Sequence, residues 1–137
     1  KQIEIDLTPY VKKEDIIDYI VEQGTSGIWT YRKWNSGVFE CWGESVKEQS
    51  EVTFTAYGTD GIKVIYLAQW YIDLPFTSYT VPICSGSSAW HYSNWVNIAP
   101  MYGNQTEYTK VSVMLYQERE TVQGQQKVQM YGKGTWK

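Results

Sequence analysis

An antiparallel β-sandwich of about seven to nine strands, with a short N-terminal helix, is the fold this sequence predicts. Three observations carry it. Runs rich in Val, Ile, Thr, Tyr and Trp recur along most of the chain. Val52, Phe54 and Ala56 alternate with Thr53 and Thr55, the period of a half-buried strand. Turn chemistry separates the runs at regular intervals. The 137 residues are the size of one domain and enough to bury a real core. Residues 1–23 are assigned to an N-terminal linker or helix and residues 24–137 to the sandwich.

The elements follow in order. Lys13-Glu14-Asp15 leads into a segment with Ile16, Ile17, Ile20 and Val21 at helical spacing, and Gly24 stands where a C-cap belongs. Such a helix either docks on its own domain or ends a stalk shared with neighbouring chains; it is too short to establish a coiled coil. From Ile28 to Gly43, two aromatic runs flank Asn35-Ser36-Gly37, with Gly where a left-handed backbone is needed, which is a hairpin signal. The alternating run to Ala56 ends in a turn at Gly58-Thr59-Asp60-Gly61. A second long run from Lys63 to Ile72 is stopped by Asp73-Leu74-Pro75-Phe76. Tyr79 to Cys84 is the next strand, Ser85-Gly86-Ser87-Ser88 a loop, and Trp90–Ile98, Lys110–Gln117 and Lys127–Tyr131 complete the set.

Composition excludes several functions. The formal net charge is −3 and basic residues form no run, so the positive footprint that phosphates require is missing and no nucleic acid is expected as partner. No apolar stretch approaches the roughly 20 residues that span a bilayer, and no Gly-rich phosphate loop joins a strand to a helix. Cys41 and Cys84 fit no metal-ligand spacing, and His91 is the only histidine, so neither metal nor cofactor is expected. The cysteines read as small buried hydrophobes, or as a disulfide if their strands meet. Seven Trp and 12 Tyr stand against 3 Phe, a bias towards side chains with an apolar body and a polar tip, which suits contact surfaces.

The hairpin segment carries a resemblance. Trp29, Tyr31, Arg32, Lys33, Trp34 and Gly37, followed by Glu40, Trp42 and Gly43, are similar to the signature W-x-Y-R-K-W-x-[SD]-G, followed by E-x-W/G, of C-terminal domains in tailed-bacteriophage tail-fibre, baseplate and minor structural proteins. The resemblance is strong at the hairpin and looser over residues 24–137. There, Leu74–Phe76 with Pro82 looks like the family's middle strand pair, and Val111–Tyr116 looks like its closing strand. Cys41 departs from it, standing where a polar residue is more usual. The resemblance implies a non-enzymatic virion tail domain at a fibre or baseplate tip. It also implies a homotrimer, other tail proteins as partners, and host attachment through a cell-surface polysaccharide or teichoic acid. A chain that starts at Lys1 is then read as the C-terminal piece of a longer polypeptide.

Catalysis has little to build on. Glu40, Glu44, Glu48, Glu51 and Asp73 show no spacing that pairs two carboxylates as a glycosidase needs, and no G-x-S-x-G elbow gives His91 a nucleophile. A phage-borne glycan hydrolase is the least favoured alternative, after a purely structural domain that terminates or trimerises a fibre. Binding fits better. Between Ser85 and Tyr108, Tyr, Trp, Ser, Gly and Asn dominate, the composition of adaptable recognition loops. Trp90, Tyr92, Trp95 and Tyr102 offer flat faces for sugar rings, while His91 and Asn104, with Asn94 and Asn97, offer polar contacts. Strand alternation also allows Trp90 with Tyr92, or Trp95, to be core instead. In the hairpin both faces carry aromatics, and Trp29, Tyr31, Trp34, Gly37 and Trp42 are assigned to folding and assembly. Arg32 and Lys33 are expected to pair with Glu40 across the strands.

Overall fold

The computed structural model describes residues 18–88, 95–104, 106–122 and 124–137. Among them are nine strands: β1 (Ile20–Ser26), β2 (Trp29–Trp34), β3 (Val38–Lys47), β4 (Thr55–Thr59), β5 (Val64–Ser78), β6 (Ile83–Ser88), β7 (Trp95–Asn104), β8 (Glu107–Gln117) and β9 (Gln126–Thr135). They form a five-stranded antiparallel sheet in the order β1-β2-β3-β9-β6 and a four-stranded one in the order β4-β5-β8-β7. The sheets pack as a sandwich.

Strand β9 shows how sequence becomes layer. Gln126, Val128, Met130, Gly132 and Gly134 face inward and are buried, while Lys127, Gln129, Tyr131 and Lys133 face water. Inward positions of β2, β3, β9, β5, β7 and β8 meet in one core around Trp29, Phe39, Leu74, Ile98, Val113 and Met130. A smaller cluster of Val52, Phe54, Ala68 and Leu115 closes one end. Three polar clasps tie sheet to sheet: Trp29 Nε1–H donates to the Asp73 carbonyl at 2.7 Å, Trp70 Nε1–H to Ser45 Oγ at 3.0 Å, and the Thr135 N–H to Ser78 Oγ at 3.1 Å. Each satisfies a polar group, two indole N–H tips and one backbone N–H, that burial would otherwise leave unpaired.

The hairpin forms as its turn chemistry predicts, with Gly37 at φ +99°. Its tip is held from both ends of the described chain. The Asn35 N–H donates to the Tyr19 carbonyl, the Ser36 N–H and hydroxyl donate to the Asp18 carboxylate, and the Trp136 N–H donates to the Gly37 carbonyl at 2.7 Å. The Ser36 hydroxyl holds the Asp18 carboxyl below its ordinary range.

Several expectations are corrected. Residues 20–24 are not the end of a helix. They belong to β1, and Gly24 pairs with Tyr31 instead of capping. The open edge of β2 offers a row of N–H and C=O partners, and that ladder overrides the helical spacing of Ile20 and Val21. The rest of the expected helix, up to Ile17, lies outside the described residues. Val52 and Phe54 are buried but precede the strand, which starts at Thr55, and the turn falls on residues 60–63, where Asp60 Oδ1 accepts from the Lys63 N–H at 2.7 Å. Asp73-Leu74-Pro75-Phe76 does not stop β5. The β5–β8 register breaks between Asp73 and Ser78, so Pro75 meets no ladder position that needs its missing N–H. Leu74–Phe76 and Pro82 do not belong to one strand pair, because β5 and β6 lie in opposite sheets. Ser85–Ser88 is strand, not loop. A Cβ on Gly86 would stand 2.7 Å from both the Gln129 carbonyl and Ile98 Cγ1, so close backbone approach replaces side-chain packing there. Tyr79 and Thr80 form a bend, so the strand expected from Tyr79 to Cys84 starts only at Ile83 and runs on to Ser88 as β6.

Candidate functional site

Register places the outward side chains of the four-stranded sheet in cross-strand rows. Val111, Val113 and Leu115 point into the core, so Lys110, Ser112, Met114 and Tyr116 of the same strand point to the other side, where Met114 and Tyr116 are half-buried and Ser112 is covered by its neighbours. Tyr116 stands between Leu67 of β5 and Trp95 of β7, Met114 between Gln69 and Asn97, and Ser112 between Tyr71 and Ala99. Tyr57 joins the first row from β4. It is the extra residue where the β4–β5 register shifts, and its ring meets Tyr116 edge-on at 5.6 Å between centroids. Tyr57 is 66% exposed, Tyr71 53% and Trp95 50%.

The polar groups of this face are partly preset. Gln69 Nε2 donates to Ser112 Oγ at 2.7 Å, which orients the amide and leaves its carbonyl oxygen as an acceptor. Asn97 is exposed, and no side-chain partner engages it among the described residues. Among the described residues of this face, charge sits only at the ends. Lys110 pairs with Asp73 at 3.4 Å at one end, and Lys63 with Glu118 at 2.7 Å at the other. The face can stack flat apolar surfaces on its aromatics and exchange hydrogen bonds in both directions through two amides.

The outward face of the five-stranded sheet is different. Arg32 lies opposite Glu40, with Nη1 3.8 Å from Oε1, and over Trp42 at 5.2 Å from the ring centroid. The Tyr131 hydroxyl donates to Glu40 at 3.1 Å, and Gln129 donates to Glu44. Burial raises the Tyr131 phenol above its ordinary range, and the Glu40 carboxylate adds to this. A shallow groove of about 440 Å³ runs between Gln23, Thr30, Arg32 and Trp42. Lys33 does not share Glu40, contrary to expectation; it faces inward, pairs with Glu22 of β1 at 2.9 Å and lies over the Phe76 ring at 4.0 Å.

Of the expected ligand residues, Trp95 alone has a described side chain on the open face. Trp90, His91 and Tyr92 lie outside the described residues, and for Tyr102 the structure describes only the backbone, opposite Tyr108. Asn104 closes the β7–β8 hairpin: its Oδ1 accepts from the Thr106 N–H at 2.9 Å and its Nδ2 donates to Glu107. It caps a turn and does not line the face. Among the hairpin residues, Trp29 (2% exposed) and Tyr31 are core, and Tyr31 packs edge-on against Phe76 at 4.6 Å. Trp34 and Trp42 point outward, half-buried. Tyr57, Tyr71, Tyr116 and Gln69 were not foreseen. The apolar alternation from Val111 to Leu115 contained the signal for Tyr116, because it assigns every other residue to the far side.

The five acidic residues considered for catalysis are each engaged: Glu40 and Glu44 as above, Glu48 by Gln125, Glu51 by Lys47 and Asp73 by Lys110. Among the described residues no three of His, Cys, Asp and Glu gather as metal ligands would. Cys41 and Cys84 are free thiols on either side of Gly132 in one cross-strand row. Two strand spacings, about 10 Å, exceed the reach of a disulfide. Burial pushes the Cys41 thiol up to about 12, with Cys84 adding to it, and pushes Cys84 up to about 11.

Comparison with known proteins returns no matching family model, no matching curated protein and no matching solved structure.

Proposed function

We propose that this chain is a non-enzymatic tip domain of a phage tail fibre or baseplate protein, and that it attaches the virion to a host cell-surface glycan through the outward face of its four-stranded sheet. One observation carries the binding part: the exposed Trp95 and Tyr57 and the half-buried Tyr116 form one aromatic row beside the amides of Gln69 and Asn97. The tail assignment rests on the hairpin signature. The hairpin fits a bracing role, since Trp29 and Tyr31 enter the core and both ends of the described chain clasp its tip. Repetition of a weak site on a trimeric fibre would raise avidity without new contacts.

The test is adsorption of the purified domain to bacterial cell walls, compared with the Trp95→Ala and Tyr57→Ala variants. Binding by the parent and its loss in both variants, with melting temperatures unchanged, is the expected result. A parent that adsorbs to no wall in a broad panel of hosts would defeat the attachment reading. It would favour a domain that ends or trimerises a fibre and binds nothing, which the half-exposed Tyr19, Ile20 and Val21 around β1 also suit. Light scattering checks assembly: a homotrimer has three times the 15.9 kDa mass of one chain.

A further inference from the structure

The open face has a chemical preference written in its charges. Over the three rows from Tyr116 to Ser112, every outward side chain is aromatic, aliphatic, thioether, hydroxyl or amide. The lysines at the two ends, Lys110 and Lys63, are already neutralised by Asp73 and Glu118. A phosphate-bearing polymer laid here would lose water from its charges and meet no opposite charge in return, on a protein that is itself net negative. A neutral sugar meets the opposite situation. Its C–H faces carry slight positive charge and suit the electron-rich faces of Trp and Tyr. Its hydroxyls both donate and accept, as do the amides of Gln69 and Asn97.

The geometry also sets a direction. The aromatics line up across the strands, from Trp95 on β7 over Tyr116 on β8 to Tyr57 on β4. The Tyr57 and Tyr116 rings lie 5.6 Å apart, and one further strand spacing to Trp95 makes this row about 10 Å long, the span of a disaccharide segment. We propose that this face takes an uncharged polysaccharide, laid across the strands on Trp95, Tyr116 and Tyr57 with its hydroxyls on Gln69 and Asn97, and that it rejects phosphate-bearing polymers such as teichoic acids. The inference rests on the attachment reading above and narrows its ligand to one chemical class.

The experiment is an array carrying neutral oligosaccharides built from glucose, rhamnose and N-acetylhexosamines, next to poly(glycerol phosphate) and poly(ribitol phosphate). It is read at low and high salt with the parent chain and with Trp95→Ala, Tyr57→Ala and Asn97→Ala. Expected is binding to one or more neutral glycans, unchanged by salt and weakened at least about tenfold by Trp95→Ala and by Tyr57→Ala. Asn97→Ala weakens it less. Binding to a polyol phosphate that salt abolishes would overturn the inference and leave the attachment reading standing. So would binding to a neutral glycan that survives both aromatic substitutions in folded variants. An array with no binding, together with no adsorption to walls, would remove both. Because Tyr57 is two-thirds exposed, its variant remains informative even if Trp95→Ala fails to fold.

Discussion

The outward faces of the two sheets both carry aromatics and amides, but only the five-stranded one sets charged side chains among them. On the five-stranded sheet, the register sets Arg32 against Glu40, Tyr131 reaches the same carboxylate, Gln129 reaches Glu44, and the guanidinium covers Trp42. That face satisfies itself. On the four-stranded sheet, β8 contributes Ser112, Met114 and Tyr116, none of which is charged, and β7 contributes Trp95 and Asn97. Gln69 is held by Ser112 and the Tyr116 hydroxyl donates to Met114 Sδ at 3.7 Å, while Trp95, Tyr57 and Tyr71 stay open. A face whose hydrogen bonds close within the sheet braces the strands, whereas one whose amides and rings remain available can exchange water for a ligand. Opposite charges placed directly across a strand pair make the difference.

The largest effect expected from breaking this contrast is on the bracing side. Trp29→Ala removes a buried indole and leaves the Asp73 carbonyl without its donor, at a cost of about 3–5 kcal/mol. Thermal denaturation should show a melting temperature lower by more than about 10 °C, or no soluble protein. A shift of only a degree or two would mean that the hairpin is not what holds the sheets together. Next comes Gly37→Ala, which forces a side chain into φ +99° at the clasped tip. A loss of about 1–3 kcal/mol in urea denaturation is expected, and an unchanged midpoint would show that the tip relaxes freely.

Trp42→Ala sharpens the comparison more directly. Half-buried under Arg32, it should lose about 1–2 kcal/mol, less than Trp29, and adsorption to cell walls should persist. Loss of adsorption with the melting temperature intact would transfer the ligand site to the five-stranded sheet and its groove. Trp95→Ala and Tyr57→Ala should change stability by less than about 1 kcal/mol, since neither ring fills the core. A large drop in melting temperature for either would make the open row a structural feature. The smallest effect concerns the thiols. With Cys41 and Cys84 raised to about 12 and about 11, both stay protonated at mildly alkaline pH, and only the thiolate attacks a disulfide reagent. The native chain should therefore react with an aromatic disulfide far more slowly than the urea-unfolded chain, and equal rates would show that the sandwich opens readily at β6.

Much of this was legible from local chemistry. Asn35-Ser36-Gly37 announced its turn because only glycine adopts that backbone at little cost, and the alternation from Val111 to Leu115 sorted β8 into inner and outer faces. The strand ends were less legible. Pro75 reads as a stop, yet it sits inside β5 because the partner ladder is interrupted there; Ser85–Ser88 reads as a loop, yet it is strand because β9 lies beside it with room only for glycine at position 86. Ile20 and Val21 carry helical spacing and are strand because an edge was free.

The site divides in the same way. Sequence alone marked Trp95 as a contact residue by its company of Tyr, Ser and Asn, but it also offered Asn104, whose amide the β7–β8 turn consumes. It had no means of joining Trp95 to Tyr57, 38 positions earlier in the chain. Period and composition determine which residues share a strand face, because alternation is a property of one strand. Which strands become neighbours, and so which aromatics form one row, depends on sheet order and register, and those are chosen by the packing of two sheets around a common core.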